Sequence, residues 1–203
     1  MQREDWNRKY AQNEQLWSAH PNRTLVAEVE DLEPGRALDL ACGDGRHSVW
    51  LAERGWSVTA VDFSEVAIAK ARKRAAVAGV RVAYRRGDLL DFEPAPGTFD
   101  LVLVLFLQLP ADERRVVLSR AAAALADGGT FLLVGHDLLN LTEGVGGPSD
   151  VRVLYTPADI AAELPGLEIE KAEKMLRDVA DADRPAIDVL VKTRRTIGYE
   201  TSS

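Results

Sequence analysis

Apolar residues along the chain fall into two patterns. Short continuous runs mark strands buried on both faces, and stretches repeating every three to four positions mark amphipathic helices. The runs at 37–40, 56–61, 80–84, 99–104 and 130–134 predict five strands, and the spaced stretches at 46–53, 65–78 and 112–125 predict helices between them. Two further helices are expected ahead of the first strand. One covers 3–15, with Trp6 and Tyr10 four apart and so on one face. The other covers 22–30, with Asn22 or Thr24 as its cap and Pro34 and Gly35 beyond its end. Regular alternation of strand and helix predicts an α/β fold with a doubly wound, mostly parallel sheet. Right-handed crossovers would set the carboxyl ends of the parallel strands along one edge, gathering 39–45, Asp62, Asp88, Leu105 and His136 around one crevice.

The chemistry of that edge begins at 36–45, RALDLACGDG. The strand runs into Gly43 and Gly45, which allow a tight turn and a close approach of backbone to a ligand. The helix starting at Arg46 then aims free N–H groups and the positive end of its dipole at whatever fills the turn. A nucleotide-like ligand is expected. Asp62 ends the second strand 19 residues after Gly43, the spacing at which a carboxylate accepts from both ribose hydroxyls of a nucleoside. A plainer role is open to the same stretch, with Asp62 or Ser64 capping the helix 65–78. Ser64 can cap while Asp62 binds.

Composition narrows the class. With 203 residues, 46% hydrophobic and 28% charged, the chain fits one globular domain over 1–203. No apolar run approaches the length that spans a bilayer, and the opening MQREDWNRKY is charged where a secretory leader is apolar. A cytoplasmic protein with no membrane partner is expected. Cys42 is the only cysteine, which rules out an intramolecular disulfide and a cysteine cage, and no metal is expected. Its place beside the helix start would lower a thiol pKa, yet its size suits it to packing. A net charge of −7 argues against a surface built to neutralise phosphates, so nucleic acid is not an expected partner. Basic clusters at 70–74, 85–86 and 194–195 read as solvated faces.

Four motifs stand in order: LDLACGDG, then VDFS, then GDLLDF ahead of FDLVLV, and LADGGTFLLV before His136. Across most of the chain they resemble the class I S-adenosylmethionine-dependent methyltransferases. With WLAERGW and the aromatic N-terminal segment, the sequence is most similar to the small bacterial branch related to tellurite-resistance-type and thiopurine-type enzymes. The resemblance implies a Rossmann-like, seven-stranded, mostly parallel sheet with helices on both faces, whose antiparallel C-terminal hairpin 167–172 and 187–192 would supply. It also implies S-adenosyl-L-methionine as cofactor, S-adenosyl-L-homocysteine as product and a small-molecule methyl acceptor.

Carried onto this sequence, Gly43 and Gly45 shape the turn beneath the donor's methionine part, and Asp39 orients that turn or meets the ammonium through water. Asp62 holds the ribose, Phe63 packs on the adenine, Asp88 accepts from the adenine amino group, and the Leu89 N–H faces a ring nitrogen. Leu105 lies at the same edge. The methionine carboxylate falls to Arg46 or to Trp17 of an N-terminal lid over 1–22. Ala41 stands where the first glycine of the turn often lies, a departure that leaves binding intact provided its φ is negative.

A sulfonium donor already carries an electrophilic methyl group, so the protein has mainly to align a nucleophile and exclude water. An acceptor protonated at neutral pH needs a general base. His136 is the candidate, since an unperturbed histidine titrates at about pH 6.5. Asp137 would orient it or act alone, Tyr155 is a further candidate, and a purely structural His–Asp pair is the plain alternative. His47 meets donor or solvent in the first turn of its helix, and His20 beside Pro21 is structural. The segment 105–110 lacks the Asn/Asp-Pro-Pro-Tyr pattern of amino-group DNA methyltransferases. The long glycine-containing connection 138–156 is expected to be a substrate-side lid or mobile loop. With Phe106 and Tyr155 it would wall an apolar pocket for a small aromatic or heterocyclic O, N or S nucleophile. Two other readings stay open, a non-catalytic donor-binding sensor or partner protein and an NAD(P)-dependent oxidoreductase; Ser48 in place of a third glycine counts against the second. No sequence feature marks an oligomer interface.

Overall fold

A computed structural model describes residues 2–14 and 16–196. The chain divides into two compact units, Met1–Glu93 and Pro94–Ser203. The first contains α1 (Arg3–Gln12), α2 (Arg23–Val29), β1 (Arg36–Leu40), α3 (Arg46–Ala52), β2 (Ser57–Asp62), α4 (Glu65–Ala78) and β3 (Ala83–Arg86). The first helix ends at Gln12, short of the expected boundary; Gln15 itself lies outside the described residues. Asn22 is the cap of α2, its side-chain oxygen accepting from the Thr24 and Leu25 N–H groups at 2.8 and 3.2 Å. Ser64 caps α4 by accepting from the Ala67 N–H at 3.1 Å, and Gly79, with φ +69°, ends that helix. The strands lie in the order β3-β2-β1, all parallel. Ala37 to Leu40 are all buried, as expected of a strand covered on both faces.

The second unit holds β4 (Phe99–Leu105), α5 (Ala111–Ala124), β5 (Leu125–His136), α6 (Pro157–Ala162), β6 (Glu168–Arg177) and β7 (Ala186–Arg194), with short 3₁₀ turns at Leu138–Leu141 and Val151–Val153. Strand order is β4-β5-β7-β6; β4 and β5 are parallel, and β7 runs antiparallel to both its neighbours. The fifth strand, expected over 130–134, begins earlier and takes in residues 127–129, where the ladder slips between Phe99 and Leu101 and Gly128 takes φ +75°. The outermost strand, β6, is exposed along nearly its whole length and carries Glu168, Glu170, Lys171, Glu173 and Lys174, charges that keep a free strand edge from pairing with other chains. Phe131, Leu132 and Leu133 of β5 are fully buried, and burial of each stabilises the unit by about 1.5–3 kcal/mol.

Read one after the other, the two orders give β3-β2-β1-β4-β5-β7-β6. This is the mixed, mostly parallel seven-stranded sheet of a Rossmann-like fold. Among the described residues no helix is long and apolar enough to cross a membrane, and no group of His, Cys, Asp and Glu could hold a metal ion.

Candidate active site

The turn after β1 contains three residues in the left-handed region, Ala41 (φ +61°), Gly43 (+56°) and Gly45 (+76°). The condition placed on Ala41 is therefore not met. Its Cβ crowds the backbone there at a cost of ~1 kcal/mol, which is the physical reason glycine suits the position. The two glycines are required by close neighbours as well as by φ. A Cβ on Gly43 would lie 2.5 Å from the Tyr10 hydroxyl, and one on Gly45 would lie 2.6 Å from the Tyr84 hydroxyl and 2.8 Å from the Ala71 Cβ.

Two carboxylates flank this turn. Asp39, on β1 and 1% exposed, accepts from the Ser48 hydroxyl at 2.6 Å through Oδ2, while Oδ1 is buried with no partner. Burial pushes its carboxyl up to about 7; the Ser48 bond works against that shift and the negative charge of Asp62 adds to it. Asp62, 6% exposed, accepts from the Gly43 N–H at 2.9 Å through Oδ2 and from the Ser64 N–H at 2.8 Å through Oδ1. Burial raises its pKa too, and the backbone N–H bonds oppose the rise. Asp62 thus ties the glycine turn to the start of α4, and its carboxylate keeps acceptor capacity for a ligand. Ser64 does the helix capping, which leaves Asp62 free of that role.

Arg46, half-buried, opens α3, and Phe63, also half-buried, follows Asp62. Asp88 is exposed and accepts from the Leu90 N–H at 3.0 Å, shaping the turn after β3 in which Leu89 is buried. Cys42 is buried, and burial raises its thiol pKa rather than lowering it; desolvation outweighs the helix start. His47 is buried, not solvent-facing. Its Nε2 has no partner, and burial holds its pKa well below the usual range.

The N-terminal segment lies on this turn. Trp17, 41% exposed, donates from Nε1 to the buried Tyr10 hydroxyl at 3.2 Å, and Trp6 lies tilted against both, with ring centroids at 6.0 and 6.3 Å. Ser64 donates to the Asn7 side-chain oxygen at 2.7 Å, and Lys70 donates to the carbonyls of Asn13 and Glu14. Arg74 reaches three groups: the Asp44 carboxylate at 2.7 Å, the Asp44 carbonyl at 3.2 Å and the Ala19 carbonyl at 3.3 Å. Lys70 and Arg74 are therefore not a solvated face. They fasten the segment and the turn to α4, and Tyr10, not Trp17, is the side chain seated on Gly43. The four-residue spacing of Trp6 and Tyr10 was the available signal.

In the second unit Leu105 is buried at the end of β4, and Phe106 follows in the left-handed region (φ +56°), its N–H donating to the Val134 carbonyl at 2.7 Å. The Phe106 ring lies 5.1 Å from the His136 ring. Asp137 does not orient His136. Neighbours along a strand point to opposite faces, and Asp137 is wholly buried, accepting from the Leu139 N–H at 2.8 Å. The acid beside His136 is Asp188, opposite it in the β5–β7 register, with Oδ1 3.2 Å from Nδ1 but no hydrogen bond between them. Tyr155 is also buried, its hydroxyl occupying the place a Cβ on Gly135 would take. The connection 138–156 is folded rather than free: Asn140, buried, accepts from the Ile187 N–H at 2.7 Å and donates to the Gly146 carbonyl at 2.9 Å.

A strand, a left-handed turn flanked by two buried carboxylates, and a helix start have the layout of a nucleoside-binding turn on a doubly wound sheet. Comparison with known proteins makes the assignment specific. A methyltransferase-domain family matches residues 37–129, a span that runs through both units. The ubiquinone biosynthesis O-methyltransferase of Xanthomonas euvesicatoria pv. vesicatoria is 30% identical over 165 residues, 72% of this chain and 68% of that protein. The ribosomal RNA small subunit methyltransferase C of Alcanivorax borkumensis is 34% identical over 109 residues, 51% of this chain and 33% of that protein. The chain spans less than half the length of several of the curated relatives it matches. TehB from Haemophilus influenzae shares the fold, with a TM-score of 0.73 at 17% identity over 87% of this chain and 63% of that one. The chain belongs to the class I S-adenosylmethionine-dependent methyltransferases, with S-adenosylmethionine as cofactor.

Proposed function

We propose that this protein methylates a small-molecule acceptor at an oxygen, nitrogen or sulfur atom. The observation that carries the donor half of the proposal is the buried, unpartnered Oδ1 of Asp39 beside a glycine turn. An orphaned carboxylate oxygen costs ~1–3 kcal/mol or more unless a ligand meets it, and a cationic ammonium suits it. In this reading Asp39 faces the donor's ammonium, Gly43 and Gly45 cradle its chain, Asp62 accepts from the ribose hydroxyls, and Phe63, Asp88 and Leu89 hold the adenine. Arg46, or Trp17 with Tyr10, meets the carboxylate. When bound, S-adenosylmethionine supplies an electrophilic methyl group and departs as S-adenosylhomocysteine.

His136 receives the proton that a hydroxyl, thiol or N–H acceptor releases as its lone pair forms the new bond to carbon. Its buried nitrogen, Nδ1, faces Asp188, which leaves Nε2 to take that proton. Leu105 and Phe106 supply apolar wall. The ubiquinone relative's name supports a small acceptor, the net charge of −7 counts against a nucleic-acid one, and the single cysteine suits a cytoplasmic setting.

The test is transfer from labelled S-adenosylmethionine to a panel of phenols, thiols, N-heterocycles, oxyanions and a ribosomal RNA fragment. Donor binding is measured by calorimetry alongside, with Asp62→Ala as control. We expect transfer to a small acceptor and loss of donor affinity of at least tenfold in the control. Donor binding without transfer to any member would favour a sensor, transfer only to RNA would overturn the acceptor class, and no donor binding by the folded protein would overturn the reading.

A further inference from the structure

Four side chains from four strand ends meet in the second unit. His136 closes β5, Asp188 lies opposite it on β7, Arg177 is the last residue of β6, and Phe106 follows β4. Asp188 is 3% exposed and joins the others. Its Oδ2 accepts from Arg177 Nε at 2.6 Å, and its Oδ1 lies 3.4 Å from Arg177 Nη2 and 3.2 Å from His136 Nδ1. The guanidinium is laid over the Phe106 ring at 5.5 Å, and that ring stands against His136.

A buried carboxylate needs a counter-ion, and Arg177 meets that need with one edge alone, Nε and Nη2. Its side chain is 37% exposed, and Nη1 has no bond to a described residue. A guanidinium fixed on one edge by a buried acid and on one face by an aromatic ring has little rotamer entropy left to lose on binding, which is the condition for a strong second contact. Phe106 itself sits in the left-handed region, a conformation costing about 1–3 kcal/mol that clusters at ligand-facing sites.

Building on the methyltransferase reading, we propose that Arg177 is the specificity-determining residue for the acceptor. Its free Nη1 edge binds a carboxylate on an aromatic acceptor, whose ring packs on Phe106 and whose hydroxyl is offered to His136. The acceptor class is then a hydroxyarene carboxylate. Asp188 is a positioning residue for Arg177.

The test compares 4-hydroxybenzoate with its neutral isostere 4-hydroxybenzamide. Binding of each is measured by calorimetry and saturation-transfer NMR to wild type, Arg177→Lys, Arg177→Met and the double variant Arg177→Met/Asp188→Asn, which leaves no unpaired buried charge if the single variant fails to fold. We expect wild type to prefer the acid at least tenfold, the Met variants to lose that preference, and Lys to restore part of it. S-adenosylhomocysteine affinity on the same samples should not change. No preference in the wild type, or an undiminished one in the folded Met variants, overturns the proposal. Absence of S-adenosylhomocysteine binding by wild type would instead strike the donor reading, since the acid-to-amide ratio is read without any turnover.

Discussion

Replacing Asp39 with Asn keeps the shape of the side chain and removes its charge, and the structure fixes opposite expectations for stability and for binding. The carboxyl is 1% exposed, with one oxygen on Ser48 and the other on nothing, and burial pushes its pKa up from the ordinary 3.8 to about 7. A folded-state pKa above the unfolded one means that the folded protein holds this proton more tightly. The associated stability is full below about pH 4 and is lost as pH rises through about 7. Roughly 3 units at 1.36 kcal/mol each set a ceiling of ~4 kcal/mol, and relaxation of the site reduces the realised difference to ~2 kcal/mol. Urea unfolding of the ligand-free protein at pH 5 and pH 8 should find Asp39→Asn close to wild type at the lower pH and ~2 kcal/mol more stable at the higher. Calorimetry should find the reverse for the donor. Wild-type affinity for S-adenosylmethionine rises with pH toward 8 as the carboxylate ionises to meet the ammonium, whereas the Asn variant binds at least tenfold more weakly with no such rise. An Asn variant less stable than wild type at pH 8, or a stability difference indifferent to pH, would refute the argument that this buried charge is held for a cation.

Ala41→Gly relieves a left-handed Ala (φ +61°) of ~1 kcal/mol of strain and gives back part of that through the looser unfolded chain. A net gain of ~0.5 kcal/mol in urea unfolding with unchanged donor affinity is expected, and a destabilised variant would contradict it. Arg114 and Glu163 form a buried pair joined by two bonds of 2.9 and 2.8 Å, with side chains 6% and 10% exposed. Glu163→Ala strands the guanidinium and should cost ~3–5 kcal/mol, while Arg114→Met/Glu163→Leu should fall within ~1 kcal/mol of wild type; thermal and urea denaturation of the three proteins would show whether it does.

Periodicity and turn chemistry carry the alternating frame well, because each buried strand is a local run and each helix has a local cap, as Asn22 and Ser64 show. The buried carboxylates Asp39 and Asp62 beside the glycine turn are legible for the same reason, being fixed by their distance along the chain from that turn. Pairings that depend on register are not. His136 meets Asp188, 52 positions away, through the β5–β7 ladder, and a single sequence offers Asp137 as the nearer acid. The left-handed Ala41 escaped because its conformation is imposed by the geometry of the whole turn and not by its own type. Lys70 and Arg74 look like a solvated cluster in sequence because their partners are main-chain carbonyls, which have no sequence signature. The folding of 138–156 turns on one buried amide, Asn140, among many residues that suggest freedom.

The fastening of the N-terminal segment has a consequence for how this chain can diverge. Lys70 and Arg74 grip the carbonyls of Asn13, Glu14 and Ala19, and a carbonyl is present whatever residue stands there. Side chains at those three positions are exposed, so they are free to drift without loosening the attachment, while the anchor points on α4 are not. Descendants of this sequence can therefore re-letter the rim of the binding turn, and so its outer surface, while the glycine cradle beneath keeps its shape.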